Sequence, residues 1–300
     1  MSTQVVSPKQ DVYEQITQAV IEGIESGAGG YRMPWHNLET PVNASNQKPY
    51  RGINSIVLWA VAQKQGYAHP QWATYRQWQE LGAQVRKGER STTVVFWKFF
   101  DERIESETPD GDDEEQTKQQ RRCIARSYHV FNAAQVDGYI PPPVPRMSSS
   151  ERIEHAEDFF SRVPATVKHG GDRAFYSVTG DYIQMPGFEQ FQSAESYYSV
   201  RGHESVHWTG APGRCNRSIH NRFGNPEYAF EELVAELGAA FLCASLNIHL
   251  QPRTDHAPYI ANWLNALRNE KRFLISAASK AQQAADYLHQ IAAAGERRAS

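Results

Sequence analysis

A two-domain α+β protein is what this 300-residue sequence predicts, and three observations predict it. The first half mixes helical periodicity with a β-branched, aromatic run at 92–100. A proline- and serine-rich stretch, "PPPVPRMSSS" at 141–150, then interrupts the chain. Beyond it the pattern is mostly helical. The predicted division is a first domain at 1–140, a linker at 141–150 with little shared core across it, and a second domain at 151–300.

In chain order, 9–26 carries Val12, Ile16, Ala19, Val20 and Ile24 at helical spacing and stops at the glycines of "ESGAGGY". Residues 51–66 predict a buried helix ending at Gly66, and 72–82 a shorter one ending at Gly82. "TTVVFWKFF", 92–100, predicts a strand. Residues 101–120 hold nine acids and two bases and predict a solvated acidic loop, across which 121–136 returns as the pairing strand. The second half predicts a helix at 150–162 and short strands at "RAFYSV" and "DYIQMP". A motif-bearing helix, a glycine-rich loop at 210–226, a helix at 227–246 and one long helix at 257–293 complete it.

Composition narrows the class. Hydrophobic content of 40% with 22% charged residues describes a globular chain with a core. No run approaches the roughly 18–20 apolar residues of a membrane span, and the N-terminus has no apolar signal core. Cys123, Cys215 and Cys243 lie far apart without a CxxC pair, which fits a reducing cytoplasm. Cytoplasmic location without membrane association is therefore the expectation.

"VRGHESVHWTG", 200–210, carries the chemistry. His203 and His207 are four apart, so on a helix both imidazoles project from one face and can reach one ion at about 2.0–2.1 Å. Glu204, beside the first histidine, is placed to move a proton for a water attacking a carbonyl. This is the zincin pattern. Because HExxH arises by chance in roughly 3% of such sequences, its flank decides. "FEELVAELGAAF" supplies the missing carboxylate: Glu232 and Glu236 share a helix face among apolar residues, where uncompensated charge is costly. Glu232 is assigned as third ligand and Glu236 as the group orienting a ligand histidine, with the reverse assignment open. Glu231 is expected to point elsewhere. Zinc is the expected ion, with another divalent transition metal as alternative. "GDYIQMP" is expected to act as an edge strand holding an extended peptide, against the plainer reading of a core strand. His220, Tyr228 and Tyr198 are candidate oxyanion donors among which spacing does not choose.

The first half differs in character. From Gly30 to Phe99 there are nine Lys and Arg against three Glu, interleaved with aromatics. Basic groups hold phosphates and aromatic faces stack on unpaired bases, so the pattern suggests single-stranded nucleic acid. The candidate contacts are Lys48, Tyr50, Arg51, Arg86, Lys87 and Arg90, with Trp35 and Trp97 as stacking faces. Core packing is the competing explanation for several aromatics, including an inward-facing Phe96.

"PYRGIN", "WATYRQW", "GAQVRKGE" and "VVFWK" resemble the N-terminal domain of ArdC-type antirestriction proteins. "DYIQMP", "GHESVHWTG", "EELVAELGAAFL" and "YIANWLNALRNEKRFLISAASKAQQAADYL" resemble that family's C-terminal metallopeptidase domain. The resemblance implies a plasmid-borne protein with an α+β single-stranded-DNA-binding domain and a mostly helical zincin-like metallopeptidase domain. It implies protection of incoming plasmid DNA from host restriction during conjugation, in the recipient cytoplasm. It places the metal on His203, His207 and a glutamate of "EELVAE", with Glu204 as catalytic acid/base. The protein substrate stays unidentified, with the host restriction machinery one candidate. A DNA-coating protein with a structural metal, and a peptidase whose basic half binds an acidic protein, are the alternatives.

Overall fold

The computed structural model describes residues 11–27, 33, 35, 39–104, 118–141, 149–217, 226–248, 257–270 and 272–299. Among them, helix α1 (Val12–Gly27) precedes β1 (Val42–Asn43), α2 (Ile53–Gln65), β2 (Gln71–Thr74), α3 (Tyr75–Glu80) and β3 (Gln84–Val85). The long strands β4 (Thr92–Ile104) and β5 (Lys118–Asn132) follow, then β6 (Val136–Asp137). The first sheet has the order β1-β2-β5-β4, with β1 and β2 parallel and the remaining pairs antiparallel, and β3 pairs β6 separately.

The second half consists of α4 (Ser149–Ser161), β7 (Thr166–His169), β8 (Phe175–Ser177), β9 (Tyr182–Met185), α5 (Ala194–Thr209), α6 (Pro226–Ser245), α7 (Ala257–Asn269) and α8 (Phe273–Ala299). Its sheet has the order β7-β9-β8.

Several expectations change. The 72–82 segment opens as strand: β2 pairs both β1 and β5, and Thr74 caps α3 by accepting from the Gln77 N–H. The β4–β5 ladder runs to Ile104↔Lys118, so both ends of the expected acidic loop are strand, and 105–117 lie outside the described residues. The single helix at 257–293 is two helices, broken at 270–272. Ser149 and Ser150 of the expected linker begin α4, and 142–148 lie outside the described residues.

The two halves share one hydrophobic core. A single cluster runs from Ile16, Ile24 and Trp59 in the first half through Val206, Leu237 and Leu288 in the second. Its cause is legible in α2, which is buried on nearly every face from Ile53 to Ala60. The run 56–62 is apolar without a break and so must be covered on all sides; α1 and β4 cover part of α2, and α8 covers another. Trp59 stacks on Phe241 of α6 with centroids 6.0 Å apart. Arg268 of α7 pairs with Glu25 of α1 at 2.5 Å.

Among the described residues, no helix is long and apolar enough to cross a membrane.

Candidate metal centre

Helix α5 starts at a Ser193 cap, whose hydroxyl accepts from the Ser196 N–H at 3.1 Å. It lies against α6 at very short range. A Cβ built on Gly238 would meet the Val206 Cγ2 at 2.8 Å, so only glycine permits this crossing. The close approach brings three acids of α6 up to the two histidines of α5.

His203 and His207 direct their Nε2 atoms at one another, 3.2 Å apart. Glu232 lies across from both, with Oε2 3.6 Å from His203 Nε2 and Oε1 3.6 Å from His207 Nε2. Two imidazole lone pairs this close repel unless a proton or cation lies between them. Tetrahedral bonds of about 2.0–2.1 Å set ligand atoms about 3.3–3.4 Å apart. The triangle of 3.2, 3.6 and 3.6 Å, built from two neutral nitrogens and one carboxylate, fits one divalent ion. Burial acts to raise the Glu232 pKa, but with no ion bound the hydrogen bond from His203, the attraction of the two imidazoles in their protonated form and the Tyr228 hydroxyl outweigh it and draw the carboxyl down to about 2.

Each histidine has a carboxylate behind it. Glu236 Oε2 lies 3.7 Å from His203 Nδ1, and its Oε1 accepts the Trp35 indole N–H at 3.2 Å. Glu231 Oε1 lies 3.2 Å from His207 Nδ1. The expectation that Glu231 points elsewhere is thus corrected: neighbouring helix positions straddle α5, and a glutamate stem is long enough to reach it from the flank. Arg217 holds Glu231 through two bonds of 3.0 and 2.9 Å. It also donates to Thr209 Oγ1 at 2.9 Å and to the Val206 carbonyl at 2.6 Å. Burial opposes ionisation of Glu231, yet His207 and Arg217 hold its pKa below the ordinary carboxylate value. Neither Glu231 nor Arg217 was among the expected site residues. Carboxylates of this kind fix the tautomer of a ligand histidine.

Glu204 is 6% exposed on the same helix. Tyr228, one turn before Glu232, hydrogen-bonds to it and so belongs to this site. Tyr198 does not: its hydroxyl donates to Glu157 at 2.6 Å and its ring stacks on Phe160. His220 lies outside the described residues. Strand β9 is not an edge, because β7 pairs it on one side and β8 on the other. The strands at the edges are β7 and β8. Arg214, which donates to the Trp208 carbonyl at 2.6 Å, also donates to the Tyr176 hydroxyl of β8 at 3.1 Å, so β8 is tied to the histidine end of α5.

The candidate DNA contacts separate. Trp35 is 1% exposed and committed to Glu236, so it offers no face to a base. Tyr50 is buried, with its hydroxyl accepting from Asn43, and burial raises its pKa. Lys48, Tyr50, Arg51 and Trp97 line one groove of about 750 Å³. Arg86 and Lys87 line a second cavity, and Arg90 a third. Arg86 is engaged by Glu89 at 2.9 Å and by Asp137 at 3.4 Å. Phe96 faces outward, 49% exposed, so the competing core-packing reading does not hold for this ring.

The model of the zincin-like metallopeptidase family matches residues 154–280, and that of the N-terminal domain of anti-restriction factor ArdC matches residues 10–131. The metal-free crystal structure of the antirestriction ArdC protein from plasmid R388 is 37% identical, with a TM-score of 0.75, covering 95% of this chain and 98% of that one. The chain belongs to the ArdC-type antirestriction family. A Mn(II)-bound structure of the R388 protein matches with 38% identity and a TM-score of 0.73, covering 94% of this chain and 98% of that one. Protein y4eC of Sinorhizobium fredii (strain NBRC 101917 / NGR234) is 50% identical over 283 residues, 93% of this chain and 92% of that protein. DNA primase TraC of Escherichia coli is 36% identical over 293 residues, 93% of this chain but 27% of TraC. The ArdC-type chain therefore corresponds to one segment of that longer protein. Within the family frame, α5 and the carboxylates of α6 all fall in the zincin-like match.

Proposed function

We propose that this ArdC-type protein binds single-stranded DNA and hydrolyses peptide bonds at a metal held by His203, His207 and Glu232, protecting incoming plasmid DNA from host restriction during conjugation. The observation that carries the proposal is the convergence of those three donors beside Glu204. Zinc is the proposed ion; another divalent transition metal fits the same donors. When bound, such an ion supplies a Lewis acid that lowers the pKa of water and polarises a carbonyl. Glu204 accepts the proton of the attacking water and returns it to the leaving amine. Glu236 and Glu231 orient the two imidazoles. Tyr228 is the proposed donor to the developing oxyanion. An extended peptide adds at the open edge of β8, the strand that Arg214 ties to α5. The limits 1–140 and 151–300 are retained as the proposed domains, now with a common core.

A second reading is favoured by the Trp35–Glu236 hydrogen bond, which fastens the first half to the metal helices. In it the ion braces the two halves and the protein coats DNA without cleaving anything. Transfer of a plasmid into a restricting recipient, with the wild type or Glu204→Ala, separates the two. The peptidase reading expects protection to fall while metal stays bound. Full protection by Glu204→Ala leaves the bracing role.

A further inference from the structure

We infer that single-stranded DNA enters the groove between the first half and helix α8, and that Asp286 of α8 occupies the place of a DNA phosphate until the strand displaces it. This deepens the DNA-binding proposal and rests on it. The groove has about 750 Å³, within the range of small-ligand sites, and both halves build it. Phe96 stands on its β4 wall with an exposed ring; Tyr128 meets it edge-to-face at 5.4 Å, leaving a ring face for a base. Trp97, the next residue of β4, also lines the groove but turns to the opposite face of the strand, where it packs on the core. Arg126, exposed and directly opposite Phe96 in the ladder, projects from the same face of the sheet. Lys48 and Arg51 line the opposite lip. Aromatic faces between cations match the alternation of base and phosphate in an unpaired strand.

Helix α8 closes the groove in a specific way. Asp286 takes the Arg51 guanidinium on both oxygens at 2.5 Å. Gln282, one turn earlier, donates to Asp286 at 3.0 Å and accepts the Gly52 N–H at 3.0 Å. Gly52 has φ 55°, a backbone conformation that glycine adopts readily, and this turns its N–H toward α8. A carboxylate that grips an arginine in this way presents the same acceptor pair as a phosphate. A DNA phosphate therefore has to exchange with Asp286 to reach Arg51, and the exchange loosens α8 from the 51–52 loop. Because α8 also packs on α5 and α6, DNA in the groove bears on the helices that carry the histidines.

The test is fluorescence anisotropy of a labelled oligothymidylate with the full-length chain. Phe96→Ala is expected to weaken binding about tenfold, the scale of losing one stacked base. Asp286→Asn is expected to tighten it about threefold or more, by removing a like charge and freeing Arg51. Arg76→Ala, at an exposed cation that does not line the groove, controls for a general loss of charge and is expected to change little. Circular dichroism melts show that each variant folds. If the wild type fails to bind the strand, the DNA-binding proposal itself is wrong. If it binds but Phe96→Ala and Asp286→Asn do not alter affinity, the strand lies elsewhere and the groove assignment falls. Weaker binding by Asp286→Asn overturns the phosphate-mimic role, and equal affinity for a duplex of the same length overturns the stacking of an unpaired base on Phe96.

Discussion

Replacing Glu231 by leucine removes two things at once, and the structure separates their sizes. Arg217 has a side chain 3% exposed and spends two of its four hydrogen bonds on Glu231. Leaving that guanidinium buried without its carboxylate should cost about 3–5 kcal/mol. The same substitution frees His207 Nδ1 from its acceptor at 3.2 Å, and loss of such an orienting group weakens metal binding about 10–100-fold. Arg217→Met should cost a similar stability, because Glu231 then holds the unpaired charge, but should preserve most metal affinity. The double variant, with an apolar pair of similar volume, should be far more stable than the sum of the single losses implies. Urea unfolding of the chelator-treated proteins, with a competitive zinc titration of the same set, gives both quantities. Additive stability losses, together with unchanged zinc affinity in Glu231→Leu, would refute the role assigned to this pair.

Gly238→Ala should lower stability by about 1–3 kcal/mol and weaken metal binding, since the new methyl strikes the Val206 side chain at 2.8 Å and pushes α5 from α6; thermal melts and zinc titration measure both. Chelation should lower the wild-type melting temperature by about 10 °C if the ion is held at roughly a thousandfold its dissociation constant, whereas His207→Ala should not respond. Hydrogen bonds from Arg214, one of 2.5 Å, hold the Asp181 carboxyl below its ordinary 3.8. A depressed folded pKa adds stability above the unfolded value and loses it as pH falls, so the wild type should lead Asp181→Asn at about pH 6 and lose that lead below about pH 4 in melts across pH.

The metal helix was legible because HExxH on one helix face fixes two donors and the proton carrier from spacing alone. Glu232 and Glu236 were legible because charges at one face of an apolar helix need a partner. Glu231 was not: its reach to His207 depends on how closely α5 and α6 cross, which Gly238 decides in three dimensions. Arg217 sits in a glycine-rich loop whose path spacing does not specify. Interleaved aromatics and bases do not say which rings turn inward: Trp35, a candidate stacking face, is buried, whereas Phe96, for which an inward turn is the competing reading, is exposed. The edge and core readings of "GDYIQMP" are not separable in sequence, because β7, "TVKH", carries no clear strand pattern and pairing on both sides of β9 is a tertiary fact. The break between α7 and α8 occurs without glycine or proline at 270–272. The shared core did have a sequence signal, the unbroken apolar run 56–62 of α2, which a proline-rich stretch at 141–150 outweighed.

Metal content measured on purified wild type, His207→Ala, Glu232→Ala, Glu236→Ala and Glu204→Gln addresses the centre most directly. The arrangement predicts about one divalent ion per chain in the wild type and in Glu204→Gln, none in His207→Ala, and a larger loss in Glu232→Ala than in Glu236→Ala. Full occupancy in His207→Ala, or loss of the ion in Glu204→Gln, would contradict it.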